Sequence, residues 1–326
     1  MKKKKNILVT GAAGFIGSHL VDRLLSLGHR VTGLDNLSYG SRENLSEAFS
    51  KENFNFLQGD IMVPDDIEQS LEGVDQVYHL AAFKIPRYTD ALDTLRVNGM
   101  GSMNVFQACA ERGIPVIAAS TSDAYGMNPE VPFSEDKTAS LIGSPKVKRW
   151  AYAVSKMYEE QLALAFRERY GIRVTLVRFF GGYGPRHNLT WWGGPQSGFI
   201  TKALQGEPLE IHGDGLQTRS FTFISDHIDG LVAILDNEKT DGELLNLGST
   251  EEVTILDMAR LVWRLVRSDE PCVKFIPYSA FGRYEDVRRR VPDLTLVQSL
   301  LGFVPKVSLS EGLSTTIAWQ REKLNA

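Results

Sequence analysis

Residues 7–20 read ILVTGAAGFIGSHL. Ile7 to Val9 is a short apolar run of the kind that forms a buried strand. It feeds three glycines spaced G-x-x-G-x-x-G, namely Gly11, Gly14 and Gly17, and then a helical pattern through His19–Leu25 that Gly28 ends. Such glycines do separate jobs: the first permits a tight turn, the second lets the backbone approach a pyrophosphate, and the third lets helix and strand pack closely. The helix N-terminus then offers unpaired N–H groups and a partial positive charge to phosphates. A second strand, Val31 to Asp35, ends in an acid. That carboxylate is placed to accept the ribose hydroxyls of an adenosine and to repel a 2′-phosphate. The stretch predicts a dinucleotide site for NAD rather than NADP, with Arg42 as the nearby residue that complicates the choice.

The pattern continues outward. Phe54–Leu57 reads as a third strand, closed by Gly59-Asp60-Ile61. Asp60 serves either an adenine amine or a turn. Val74 to Leu80 is a fourth strand, followed by Ala81-Ala82-Phe83-Lys84, whose small residues let the chain pass close to a cofactor. Pro115–Ala119 is a fifth. Alternation of strands and helices predicts an α/β, Rossmann-type, doubly wound parallel sheet covered on both faces.

Residues 150–160 read WAYAVSKMYEE. Tyr152 and Lys156 are four apart, so on a helix they share a face. A phenol beside an ammonium is an acid–base unit, and the ammonium is expected to lower the tyrosine pKa. On its own this spacing is commonplace; the upstream dinucleotide site gives it meaning.

The whole chain sets bounds. Its 326 residues allow one large or two modest domains. A net charge of −4 leaves no basic surplus for nucleic acid. Cys109 and Cys272 form no disulfide framework, which fits a reducing cytoplasm. The six histidines lack metal-ligand spacing, so no metal is expected. No apolar run reaches membrane-spanning length. The MKKKK start reads as a solvated tail.

These residues resemble the extended short-chain dehydrogenase/reductases, specifically the NAD-dependent nucleotide-sugar epimerases and dehydratases, and among them the UDP-glucose 4-epimerases. The matching pieces are TGAAGFIGSHL, LDNLS, GDI, HLAA, Val97-Asn98, the Ser120–Gly126 run, Tyr152 with Lys156, Arg178-Phe179-Phe180 and Tyr183–Arg186. They occur in family order. The resemblance implies catalytic roles for Thr121, Tyr152 and Lys156, with Tyr152 taking the sugar O4 proton while the C4 hydride passes to NAD. It implies cofactor contacts at Gly11, Gly14, Phe15, Ile16, Gly17, Asp35, Asn36, Asp60, Ile61, Leu80, Ala81, Ala82, Lys84, Asn98, Tyr152, Lys156 and Phe179. It places substrate contacts at Thr121, Gly181, Arg186, Gln196, Arg219 and Arg290. A nucleotide-sugar substrate and a homodimer through two helices per subunit are likewise implied.

The fate of the oxidised sugar is read from fewer residues. Asp123 stands where related dehydratases and decarboxylases carry an acid, so it joins the catalytic candidates. Lys84 matches UDP-galactose 4-epimerases, where it helps bind the cofactor. The segment Tyr284–Asp293 resembles UDP-glucuronate decarboxylases, with Arg290 on their substrate or catalytic arginine; otherwise it is one exposed charge in an Arg run. Gly181 replaces the Asn usual in R-F-F-N. The Trp191-Trp192 pair, set among glycines, reads as a substrate-facing lid or as core. The order of expectation is a 4-epimerase, then a 4,6-dehydratase or a UDP-glucuronate decarboxylase, and remotely a catalytically silent NAD binder.

Beyond residue 180 the alternation becomes irregular. Ser197–Gln205 reads as a helix, Leu209–His212 and Gln217–Phe223 as strands, and Asp226–Leu235 and Thr254–Val266 as helices. The expected organisation is an NAD-binding domain over 1–180 with a return segment near 217–240, interleaved with a smaller α/β substrate domain over 181–326. Substrate is expected in the crevice between them.

Overall fold

The computed structural model describes residues 4–84, 91–189 and 193–325. Its centre is a seven-stranded sheet built from β1 (Asn6–Thr10), β2 (Arg30–Asp35), β3 (Phe54–Gln58), β4 (Gln76–His79), β5 (Val116–Thr121), β6 (Val174–Phe179) and β11 (Leu244–Leu247). Their order across the sheet is β11-β6-β5-β4-β1-β2-β3, with every pair parallel. The order reverses direction at β1 and β4, which opens a crevice at the strand C-termini. Ile7, Leu8 and Val9 are all but inaccessible, as a strand covered on both faces requires.

Helices cover both faces. On one, α1 (Phe15–Ser26) packs beside α7 (Ile224–Ile234), and Leu20, Leu24, Ile228 and Leu231 share a core with Val9 and Val177. On the other, α2 (Pro64–Ser70), α4 (Ser102–Arg112) and α5 (Trp150–Tyr170) bury Ile67, Phe106 and Phe166 against Leu8, Val116 and Leu176. Each such apolar side chain contributes about 1.5–3 kcal/mol by leaving water. α3 (Ala91–Arg96) leads into α4 through a single wide turn, Val97–Gly101.

The smaller region has its own core of Phe199, Ile211, Met258, Trp263 and Leu313. Its elements are α6 (Pro195–Gln205), β8 (Leu209–His212) paired with β13 (Val273–Ile276), α8 (Ile255–Val266) and α10 (Leu309–Asn325). Thr254 caps α8 by accepting from Asp257 N at 2.9 Å.

Three expectations are revised. The run 217–223 is two strands rather than one. β9 (Thr218–Ser220) pairs antiparallel with β12 (Glu252–Thr254), and β10 (Thr222–Phe223) pairs parallel with β7 (Gly182–Tyr183). Thr222 N donates to the Gly181 carbonyl at 3.0 Å, which redirects the chain. The return to the main sheet also runs past 240, because β11 supplies its edge strand and α9 (Thr295–Leu301) packs beneath it through Val297. Lys5 is no solvated tail residue: its ammonium reaches Asp236 at 3.0 Å and the Leu235 carbonyl at 3.3 Å, at the end of α7.

Candidate active site

The cradle at the end of β1 follows from its glycines. Gly11 has φ +70°, and a Cβ there would lie 2.8 Å from Ala81 N. A Cβ on Gly17 would lie 2.0 Å from the Gly11 carbonyl, so only glycine lets α1 start this close to the strand. The Thr10 hydroxyl accepts from Leu80 N and Ala81 N, both at 3.2 Å, and fixes the neighbouring strand end. Asp35 accepts from Ala13 N at 2.9 Å and Leu37 N at 2.8 Å. Burial raises its pKa and those two donors draw it back. Asp35 lines the cleft. Arg42 lies over the rings of Phe49 and Phe56, at 4.9 and 5.1 Å, and so is engaged with those rings. A binding loop that ends in a carboxylate and commits its nearby arginine elsewhere fits NAD. Asp60 takes Met62 N at 2.8 Å and Asn36 Nδ2 at 2.9 Å, which is the turn reading of that acid, at the cleft wall.

One cleft of about 970 Å³ runs from this cradle across the strand ends into the smaller region. Gly14, Phe15, Ile16, Ile61, Ala82, Lys84 and Phe179 line it together with Gly11, Gly17, Asp35, Asn36, Asp60, Leu80 and Ala81. Asn98 does not. It is fully buried, exchanges hydrogen bonds with Phe83 N (2.7 Å) and Phe83 O (3.1 Å), and donates to Ser155 Oγ at 2.9 Å. Asn98 braces the segment before Lys84 and is committed to it rather than to a cofactor.

The reactive groups meet at the end of β5. Thr121 Oγ1 caps the turn after that strand by accepting from Asp123 N at 3.2 Å. It also faces the phenol of Tyr152, delivered by the first turn of α5, and favours its ionised form. One turn on, Lys156 is buried and its Nζ lies 2.5 Å from Glu159 Oε2. Here the sequence-based expectation fails. The tyrosine pKa is not lowered but raised above the usual phenol range, by burial first and then by the carboxylates of Asp123 and Glu159, with Thr121 opposing. The ammonium that was to lower it is matched by Glu159.

Asp123 draws a second group from far along the chain. Arg290 Nη2 lies 2.7 Å from its Oδ1, and Arg149 Nη2 at 3.7 Å. Burial works against the charge on Asp123, but Arg290, Arg149 and Lys84 outweigh it and hold the carboxyl well below its usual range. The three arginines of the run take different partners. Thr218 N and Ser220 N donate to Arg288 O and Arg290 O, so the segment is extended beside β9. Arg288 and Arg289 turn outward to Asp214 and Glu252, while Arg290 turns in. The Nε of Arg290 is buried without a hydrogen-bond partner.

The model of the NAD-dependent epimerase/dehydratase family matches residues 7–248. The chain belongs to that family. It is therefore an enzyme of that family, and NAD is its cofactor. Over 98% of both chains it is 37% identical to a UDP-N-acetyl-alpha-D-glucosaminuronate decarboxylase of Bacillus cytotoxicus. It is also 37% identical to UDP-glucuronic acid decarboxylase 1 of Xenopus tropicalis, over 99% of this chain and 74% of that one. Among solved structures it resembles UDP-glucuronic acid 4-epimerase of Bacillus cereus in complex with UDP-glucuronic acid and NAD. That match has a TM-score of 0.88 and 31% identity over 98% of this chain and 99% of that one.

Within this family member the substrate end differs from the resemblance in detail. Arg186 lines the cleft, but its guanidinium donates to Asp22 on α1 at 2.6 Å. It ties the loop after β7 to α1 instead of reaching for a sugar. Gly181 has φ +49°, and a Cβ there would lie 2.0 Å from Ser220 O, so the usual Asn is sterically barred. Gln196 lines the cleft with a buried, unpartnered Oε1 while its Nε2 donates to Gly193 O at 2.7 Å. Arg219 is half-buried in the cleft wall beside Asp286 at 3.8 Å, and its removal from water lowers its pKa to about 10. Trp191 and Trp192 lie outside the described residues.

Three residues of the site carry no clear signal in the sequence. Glu159 stands three after Lys156, a spacing that pairs charges on a helix but reads equally as a solvated face. Arg149 precedes the α5 motif and gives no signal by itself. His187 packs edge-on to Phe15 at 4.2 Å with its Nδ1 buried and unpartnered, and burial lowers its pKa to about 3.

Proposed function

We propose that this enzyme is a nucleotide-sugar decarboxylase acting on a UDP-linked uronic acid, through a 4-keto sugar. The observation that carries the reading is the cluster at the end of β5: Arg290, Arg149 and Lys84 face a single protein carboxylate, Asp123. The excess of positive charge, with a buried guanidinium N–H still lacking an acceptor, suits a second carboxylate, one carried by the substrate. The two decarboxylase relatives and the solved neighbour all have names that specify a uronic acid, which supports the same substrate class.

Thr121 and Tyr152 converge on one point, where the sugar O4 belongs. Tyr152, as phenolate, takes the O4 proton. When bound in the cradle of Gly11, Gly14 and Asp35, NAD would supply the hydride acceptor at C4 and the hydride source for the later reduction. With a ketone at C4, the C5 carboxylate is β to a carbonyl. The C5–C6 bond breaks, CO2 leaves, and the electron pair passes into the C4 carbonyl as an enolate that is then protonated at C5. Arg290 orients the carboxylate before it leaves. Asp123 is held ionised, so it orients Arg290 and does not donate the proton. A carboxylate with so low a pKa is also a poor base, which argues against the 4,6-dehydratase. Arg219, in the cleft wall, is assigned to the nucleotide diphosphate, which its forked donors suit.

This reading reverses the order expected from the sequence, where a 4-epimerase came first. A 4-epimerase acting on the same uronate is the second reading, favoured by Lys84 and the Bacillus cereus neighbour. The two parts of the chain are proposed as cofactor and substrate domains that close on the cleft. A homodimer is proposed through the face of α4, α5 and the turn before α4, where Met100, Met103, Val154 and Tyr158 are exposed, as a second copy would require. Among the described residues, no helix is long and apolar enough to cross a membrane.

The test is incubation of the protein and NAD with UDP-glucuronate and with its 2-acetamido analogue, followed by mass spectrometry. Loss of CO2 is expected. An unchanged mass with an altered proton spectrum would mean the 4-epimerase instead.

A further inference from the structure

Beneath Tyr152 lies a buried polar chain that the reaction above does not use. Lys156 and Glu159 are each 1% exposed, and their charged atoms are 2.5 Å apart. The other oxygen of that carboxylate, Oε1, is buried without a hydrogen-bond partner and lies 3.9 Å from His79 Nε2. His79 bonds to Ser102 Oγ at 2.9 Å and through Nδ1 to Thr10 Oγ1 at 2.8 Å. Thr10 in turn holds Leu80 N and Ala81 N at the cofactor cradle. A hydrogen-bonded strut therefore runs from the cradle to His79, and the Glu159–Lys156 pair faces its end across 3.9 Å.

The charges on every side are accounted for. From β4, His79 is kept neutral, because burial and then Lys156 lower its pKa to about 3. From α5, the neighbouring Glu160 is engaged with Arg178 through two bonds of 2.8 and 2.7 Å. From α4 the Ser102 hydroxyl faces Glu159; burial raises the Glu159 pKa, and the Lys156 ammonium and that hydroxyl oppose the rise. Across the cleft Tyr152 also faces Asp123 and Arg290, which are paired with each other. Arg149 and Lys84 face Asp123. Among the described residues, Glu159 is thus the carboxylate in contact with the Lys156 ammonium. A buried ammonium left alone beside a phenol would favour the phenolate; an ion pair of nearly zero net charge does not.

We propose that Glu159 is a positioning residue for the reactive pair: its carboxylate fixes the Lys156 ammonium and cancels its charge beside Tyr152. Tyr152 then stays protonated until a further positive charge enters the site. The proposal rests on the reading of Tyr152 as the base.

The test is a spectroscopic titration of tyrosinate absorbance on the full chain, with Tyr152→Phe subtracted to isolate Tyr152. In Glu159→Gln the midpoint should fall by roughly one pH unit or more, the size of shift that one nearby charge produces. The acid limb of kcat/KM for NAD-dependent sugar oxidation should move the same way. Glu159→Asp keeps the charge and should retain the wild-type midpoint. An unchanged or higher midpoint in Glu159→Gln, or an equal fall in Glu159→Asp, would overturn the assignment. If Glu159→Gln does not fold, the wild-type midpoint decides: a value at or below that of an ordinary tyrosine means that the lysine charge is not cancelled, and the proposal fails. Full turnover in Tyr152→Phe would instead remove the base assignment, whatever the titration shows.

Discussion

Arg290 Nη2 lies 2.7 Å from Asp123 Oδ1, although 167 positions separate the two in the chain. Both residues line the cleft. The pairing turns one of three consecutive arginines into a cleft residue, while its neighbours pair at the surface with Asp214 and Glu252.

Arg290→Ala should lower kcat/KM on UDP-glucuronate by about 100-fold or more, as loss of one oriented charged donor does in other sites. Arg290→Lys should recover only part of it, because an ammonium cannot reproduce the guanidinium fork. NAD affinity should stay near wild type in both. Steady-state kinetics with an independent NAD-binding measurement check this; unchanged turnover would remove Arg290 from the site.

Gly181→Asn restores the residue that the family pattern carries there, and it should do harm. Asn tolerates positive φ, but its Cβ would meet Ser220 O at 2.0 Å. The cost is about 1–3 kcal/mol of stability through overpacking. Thermal unfolding should show a lower Tm with no gain in activity. A variant as stable as wild type would mean that β9 yields easily at Ser220.

Asp35→Ala should weaken NAD binding about tenfold or more, since a charge-assisted hydrogen bond is worth roughly 1.5–3 kcal/mol. It should also relax discrimination against NADP. Part of the effect is structural, because Ala13 N and Leu37 N lose their acceptor. Asp35→Asn keeps an acceptor for one of them and should unfold closer to wild type. Calorimetric titration with both cofactors, alongside unfolding curves, separates the two contributions.

The βα unit was legible because its information is local. Gly11, Gly14, Gly17 and Asp35 sit within one strand–turn–helix–strand unit, where each residue's job follows from its distance along the chain. The same holds for Tyr152 and Lys156, one helical turn apart. Legibility failed where a side chain's partner is remote. Arg186 was expected at the substrate and is tied to Asp22. Asn98 was expected at the cofactor and braces Phe83. The tyrosine was expected to be acidified by Lys156, and burial, followed by the carboxylates of Asp123 and Glu159, raises its pKa instead.

By itself, then, the sequence determined the parallel α/β sheet, the NAD cradle and the helical pairing of Tyr152 with Lys156, because period, turn chemistry and helical spacing act over a few residues. Only the tertiary structure decided which charges face one another. It brought Arg290 and Arg149 to Asp123, buried the Lys156–Glu159 pair, and barred a side chain at Gly181. Electrostatics and steric exclusion depend on distance through space, and in this fold several of the shortest distances join residues far apart in the chain.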